Sequence, residues 1–462
     1  MPRSLALTIL AALVATALGA CDPASESGQE DGAGWIVLTG VTLIDGVSDA
    51  PIPDAVILLE GDRIVAAGPA STVSLPADVE VHPLPGKTVI PGLVNLHAHV
   101  GRAEGMAYSL DLYSRERVER DLHAYLHYGI THMVSLGNDQ APGHAVIADQ
   151  RAGRSQGVQG ARMYTAGFGF SPPDGWLLDN PFLNRPSNPD EARTMVQGEA
   201  AKGVDLIKLW VDDGRGRLPQ FSPEVSGAII EEAHAQGLQV LVHLYALEEA
   251  KELIRRGVDG LAHSIRDRPV DEEFLTLARE RGIIALPALV GHGANLAYAD
   301  GPDFLDDPAL PLLFADSVLE IMGSREYQEG LASAPNLAQT RQDYAIAAAN
   351  VLRMHEAGIP LGIGTDSGPP GRFQGLWEHR EMELLVDAGI SPMEAIRAAT
   401  LNGARFLGIQ DDYGSIEAGK VADLVILDAD PLDDIRNSRR IHQVWMAGRP
   451  VDRGTGAPSP GG

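Results

Sequence analysis

Two residues in this chain have the type and spacing of a metal corner, and four more are placed where they could do chemistry beside them. His97 and His99 stand two apart at the end of the apolar run TVIPGLVNLHAHV, so on an extended strand their imidazoles leave the same side. Neutral imidazole is a common zinc ligand, and two on one strand face make either a metal corner or a hydrogen-bonded pair in a polar core. Lys208 in VDLIKLW, His243 in LQVLVHLY, His263 in VDGLAHS and Asp366 in LGIGTDSG each interrupt or end a further apolar run. Taken singly, each has a plain alternative: a paired lysine at a strand end, two satisfied core histidines, and an aspartate capping the next turn.

A single scaffold would bring all six together. From residue 88 to about 408, short apolar runs alternate about eight times with helical patterns, the sign of βα units and a parallel sheet. RERVERDLHAYLHYG leads into ITHMVSL, EARTMVQGEAAKG into VDLIKLW, and SPEVSGAIIEEAHAQG, with Ser222 as N-cap, into LQVLVHLY. LEEAKELIRRG then leads into VDGLAHS, PVDEEFLTLARERG into IIALPALV, and QDYAIAAANVLRMHEAG into IPLGIGTDSG. Each helix ends in a glycine at the expected C-cap position. The pattern predicts an α/β fold, a (β/α)8 TIM barrel over 88–408, with helices around 376–389 and 391–408 closing it. Chemistry in such a barrel sits at the C-terminal ends of the strands, so the six residues share one mouth. The stretch 291–345, between the seventh and eighth strands, is long for a βα connection and reads as a lid or rim. His132, Tyr245, His292 and Arg372 also follow or end strands and are candidate substrate-binding residues, Arg372 for gripping a carboxylate bidentately. Each of the four has a structural or solvent-facing alternative. His82, His123, His127, His144, His234, His355, His379 and His442 fall on helices, turns or the terminal strands and read as non-catalytic.

The two ends of the chain read as one small β-sandwich, with its N-terminal part at 35–87 and its C-terminal part at 409–453. A Glu60-Gly61-Asp62 turn joins two apolar runs in the first of these. Residues 454–462 read as a disordered tail. Residues 1–20 carry one arginine, an apolar centre too short to span a bilayer and then small residues, as in a secretory signal. Leu18-Gly19-Ala20-Cys21 resembles the bacterial lipobox, which makes this a lipoprotein signal peptide and Cys21 the acylated first residue; ordinary signal cleavage is the alternative. Residues 21–34 would then be a flexible tether reaching up to ~40 Å, and Asp22 resembles an inner-membrane retention signal. The expectation is a chain exported in a bacterium and lipid-anchored to the envelope on its periplasmic face. Cys21 is the single cysteine of 462 residues, so an intrachain disulfide is impossible. A net charge of −27 argues against nucleic acid and anionic membrane surfaces as partners. A small-molecule substrate is the expected partner, with membrane contact through the lipid alone and a homo-oligomer open.

Taken as a set, PGLVNLHAHVG, GVDLIKLW, the two following histidines, GIGTDSG, AIRAATLNGARFLG and GSIEAGKVADLVILDADPL resemble the blocks of the metal-dependent amidohydrolase superfamily, over nearly all of 35–451. Lys208 narrows the resemblance to the binuclear branch of prolidase-like dipeptidases, zinc carboxypeptidases and ochratoxin-type amidases. The resemblance implies two divalent metal ions, with zinc favoured, and a CO2-derived carbamate on Lys208. His97, His99 and Asp366 would hold one ion and His243 and His263 the other, with Lys208 and a hydroxide between them. Carboxylation fits physically, because a cationic lysine would be repelled by two cations whereas a carbamate is an anionic oxygen ligand. The implied activity is cleavage of an amide or peptide bond in a dipeptide or N-acyl amino acid, with Asp366 as the catalytic proton shuttle. A mononuclear cyclic-amide hydrolase or deaminase, imidazolonepropionase-like, is the rival enzyme; a non-catalytic ligand-binding lipoprotein is the rival from another class. His132 departs from the resemblance, standing in ITHMVSLG where relatives usually carry TTVRD-like residues.

Overall fold

The computed structural model describes residues 34–154 and 159–454. The leader, Cys21, nearly all of the tether and nearly all of the tail lie outside these residues. Among the described residues no helix is long and apolar enough to cross a membrane.

The apolar run at 88–100, expected as one strand, is two. Thr88–Pro91 pairs antiparallel with Leu424–Leu427 and parallel with the end of Trp35–Leu43, whereas Leu93–Ala98 pairs parallel with Ile130–Ser135. Gly92 lies between them with Thr131 packed so close that no Cβ would fit. A continuous apolar run carries no mark of the change of sheet, because both strands are buried throughout.

Leu93–Ala98, Ile130–Ser135 and Arg162–Thr165 form one parallel sheet, and Leu206–Trp210, Gln239–His243, Gly260–Ala262 and Ile284–Leu286 form another. A parallel bridge between Phe170 and Leu209 links them on one side. On the other side the segment 361–367 lies between them, bridged through Leu361 to Ala285 and through Ser367 to Ala98. It also accepts from Leu96 N at Ile363 O and donates from Thr365 N to His97 O, at 2.8 and 3.0 Å. The segment was expected to be a full strand but makes only these bridges. Gly362, Gly364 and a left-handed Asp366 (φ 55°) break its ladder.

The helices between the strands start where polar residues can cap them. Ser114, Asn188, Ser222 and Asp271 each accept a backbone N–H from the first turn of the helix they precede. Leu247–Arg256 buries Leu247, Ala250, Leu253 and Ile254 along one stripe and ends on Gly257 at φ 102°. The strands contribute a separate cluster of Val94, Leu96, Val134, Leu136, Ala166, Leu206, Leu241, Ala262, Ile284 and Leu286. One side chain or two from nearly every parallel strand therefore meet in one apolar centre.

The connection expected as a lid is helical, with Leu289–His292, Ala294–Ala299, Leu310–Leu313, Asp316–Gly323 and Arg325–Ala332 preceding the long Leu337–Glu356. It packs on the residues that follow Asp366: Tyr298 Oη donates to Gly371 O at 2.6 Å, and Leu313, Phe314 and Val318 share a cavity of about 230 Å³ with 368–374. The chain ends meet in one eight-stranded sheet, in the order Arg449–Pro450, Ile441–Met446, Leu424–Leu427, Thr88–Pro91, Trp35–Leu43, Ile52–Glu60 and Arg63–Pro69, with Val79–Pro83 also beside Trp35–Leu43.

Candidate metal centre

His97 and His99 reach one carboxylate. Asp366 Oδ1 lies 3.7 Å from His97 Nε2 and 3.1 Å from His99 Nε2, and one ligand atom from each of the three falls within 4.8 Å of the others. The backbone makes this approach possible: His99 N donates to Ser367 O at 2.8 Å, and at Gly368 a Cβ would run into the His99 carbonyl. Beyond His97 the imidazoles gather around His263, whose ring centre lies 4.9 Å from that of His97, 4.2 Å from that of His243 and 5.0 Å from that of His292. Lys208 is fully buried, and its charge depresses the protonation of His97, His243 and His263.

The donor atoms in this cluster are unmet. His97 Nδ1, His99 Nδ1, His263 Nδ1, His292 Nε2 and Lys208 Nζ are all buried without a hydrogen-bond partner, and His243 Nε2 has only the Asp212 carboxylate, 3.4 Å away. An unsatisfied buried polar group costs about 1–3 kcal/mol. Several at one place suit a site that binds cations. Protonation states agree, because burial, helped by neighbouring positive charge, lowers His97, His243, His263 and His292 and favours neutral imidazoles, the form able to bind a cation. Burial also pushes the Lys208 amine down to about 7. Burial would raise the Asp366 carboxyl, but the Arg372 guanidinium and the His99 hydrogen bond hold it well below the usual range.

Several supporting residues were not singled out from the sequence pattern. Asp212, two residues past the Lys208 strand, sets Oδ2 3.4 Å from His243 Nε2 and 3.7 Å from Arg266, while its Oδ1 accepts from Gly214 N. A carboxylate beside one ring nitrogen fixes the orientation of the ring. Glu381 accepts from Leu289 N and Val290 N at 2.9 and 2.7 Å, capping the short helix that carries His292. Glu378 Oε1 accepts from Asn95 Nδ2, Thr365 Oγ1 and Ser367 Oγ, and Asn95 Oδ1 in turn accepts from His97 N. One buried carboxylate thus ties the His97 strand to both neighbours of Asp366.

Burial raises Glu378 to about 7 from an ordinary 4.5, while its Oε2 has no partner. A raised carboxyl favours the folded state fully below pH 4.5, and that contribution is lost as pH rises through 7. The shift is worth on the order of 3 kcal/mol. Glu378→Gln is therefore expected to flatten the fall in Tm of the metal-free chain between pH 5 and 8; a slope equal to wild type would remove Glu378 from that account.

The four weaker candidates divide. His292 joins the cluster. Tyr245 lies at its edge, half-buried between the guanidinium groups of Arg215 and Arg266, at 4.9 and 4.8 Å. Arg372, expected to grip a substrate carboxylate, instead bonds Asp366 Oδ2 at 2.6 Å. His132 does not line the pocket. It is the third residue of Ile130–Ser135, so its ring stays below the strand end and packs on Tyr164 and Tyr413, with Nδ1 3.0 Å from Thr131 Oγ1.

The family described as "Amidohydrolase family" matches residues 88–451. A 5-methylthioadenosine/S-adenosylhomocysteine deaminase of Moorella thermoacetica is 25% identical over 436 residues, 86% of each chain. Ochratoxinase of Aspergillus niger is 26% identical over 275 residues, covering 56% of this chain and 49% of that protein. Among solved structures, a Xaa-Pro dipeptidase with bound methionine superposes with a TM-score of 0.72 at 22% identity, over 90% of this chain and all of that one. Phenylurea hydrolase B gives 0.71 at 26%, over 91% and 97%.

Proposed function

The chain belongs to the amidohydrolase family, and from that premise we propose that it is a binuclear hydrolase of the amide or peptide bond in a small substrate, a dipeptide or an N-acyl amino acid. The observation that carries this reading is Lys208, buried without a partner beside a cluster of unmet imidazoles. A site with one ion would have no use for that amine. Its nitrogen, neutral for a large fraction of the time near pH 7, is the form that attacks CO2; the new N–C bond gives a carbamate and releases one proton.

His97, His99 and Asp366 would hold one ion, His243 and His263 the other, and the Lys208 carbamate would serve both. The imidazole-rich set favours zinc. When bound, such ions polarise a carbonyl and make water acidic at neutral pH. The residues of the chain do the rest. Asp366 turns Oδ1 to the histidines while Arg372 bonds Oδ2, which fixes the carboxylate at the site as the base that would take a proton from the water and return it to the leaving nitrogen. Asp212 orients His243, and Glu378 keeps the His97 strand and Asp366 in register.

The scaffold we propose is a closed (β/α)8 barrel over 88–408, supported by the bridges on both sides of the two parallel sheets and by their shared apolar centre. For the ends, the cluster of Leu38, Ile57, Leu59, Leu424, Ile426 and Trp445 draws together strands far apart in the sheet order, which supports a two-layered sandwich. Export and lipid attachment through Cys21 rest on residues 1–21 of the sequence.

One observation favours a mononuclear, deaminase-like site: among the described residues, the group close enough to hold an ion is His97, His99 and Asp366. Metal count separates the two. The full-length chain, loaded with zinc and bicarbonate, is expected to carry two ions and to release amine from dipeptides or N-acyl amino acids. One ion per chain, with turnover confined to cyclic amides or amino-heterocycles, would establish the rival.

A further inference from the structure

The loop after Arg162–Thr165 delivers an indole to the metal site. Trp176 packs its ring against His243, with centres 5.6 Å apart and planes tilted by 56°. The backbone carrying it is pinned: Arg185 donates to the carbonyls of Pro172, Trp176 and Leu177 at 2.7, 2.9 and 2.6 Å, and Ser171 Oγ donates to Trp176 O at 3.0 Å. Leu177 is held in the left-handed region at φ 56°, a conformation a branched side chain adopts only when its surroundings impose it.

Trp176 is not a core residue. Its ring is half-buried, and the two residues after it, Leu177 and Leu178, are 42% and 59% exposed. Its Nε1, by contrast, is buried and unpartnered. A dry indole N–H beside a cluster of unmet ligand atoms is a donor waiting for an acceptor that arrives with a ligand. The rest of the ring offers that ligand a flat apolar wall.

We propose that Trp176 is the specificity-determining wall of the pocket, and that the preferred substrates are amides bearing an aromatic or bulky apolar side chain on the part lying over His243. This rests on the amide-hydrolase reading and names its substrate class. The pinned loop matters here, because a wall held in place before binding loses no conformational freedom when the substrate docks.

The test compares N-acetyl-L-phenylalanine with N-acetyl-L-alanine on the zinc-loaded full-length chain, as wild type, Trp176→Phe and Trp176→Ala. Wild type is expected to favour the phenylalanine substrate by at least ~10-fold in kcat/KM, Trp176→Phe to keep most of that ratio, and Trp176→Ala to lose ~10-fold of it, mainly in KM. A ratio unchanged in Trp176→Ala overturns the proposal. Calorimetric binding of L-phenylalanine against L-alanine gives an independent readout on the same proteins. If wild type hydrolyses neither substrate, the amide-hydrolase reading fails by itself. A phenylalanine preference in binding that Trp176→Ala abolishes then still supports the wall, and wild-type binding without preference overturns it. Should Trp176→Ala not fold, Trp176→Leu takes its place with the same two outcomes.

Discussion

Asp366→Asn is expected to lower kcat on an N-acyl amino acid by about 10²–10⁴-fold, the range for removing a positioned proton-transfer group. The substitution leaves the backbone undisturbed. Asparagine is among the residues that accept a left-handed backbone, so φ 55° at this position is kept, and its side-chain oxygen can still face His97 and His99. What it cannot do is take up a proton. KM should change little, since Arg372 retains Asp366 O as an acceptor at 3.3 Å and the Glu378 network holds both flanking residues. Circular dichroism should stay near wild type and Tm should fall, because the Asp366–Arg372 ion pair is lost, while turnover falls far more than either accounts for. Full hydrolysis by Asp366→Asn would remove the proton shuttle from the mechanism.

The parts of this site written into the sequence are those where a polar residue breaks an apolar strand at its end. His97, His99, His243 and His263 fit that rule, and the structure brings His99 to Asp366 and His97, His263 and His243 ring to ring. Other parts depend on contacts across long stretches of chain. Glu378 and Glu381 sit on an unremarkable amphipathic helix, and nothing in their spacing says that one ties His97 to Asp366 while the other caps the turn bearing His292. Asp212 was within reach of sequence reasoning, as an acidic residue two positions past the lysine strand. Trp176 was not, because a loop's path is set by its tertiary hydrogen bonds, here those of Arg185. The misplacement of His132 has a simpler source. His132 is three short of the end of Ile130–Ser135, and its ring packs on Tyr164 and Tyr413 instead. The division at Gly92 shows the limit from the other side: periodicity reports burial, and a run buried in two successive sheets has no period to read.

The second large effect is at Lys208, where stability and function should move in opposite directions. In the metal-free chain its amine is buried and pushed from 10.5 to about 7, with no partner for Nζ. A depressed lysine opposes folding increasingly as pH falls below 10.5, and fully below about 7. At pH 8 that opposition is on the order of 3 kcal/mol. Lys208→Met, of similar shape and apolar, should therefore raise the Tm of the metal-free protein at pH 8, with the gain shrinking as pH approaches 10.5. The zinc-loaded protein should behave oppositely. Without the amine no carbamate forms, so bound metal should fall from two ions to one per chain and turnover by more than about 100-fold, given that losing even a residue behind a ligand costs 10- to 100-fold. A residue kept for the fold would show the reverse, a variant that is less stable yet, once folded, fully active. Two ions and wild-type turnover in Lys208→Met would sink the binuclear carbamate reading, because the buried amine would then be a structural expense with no return in chemistry.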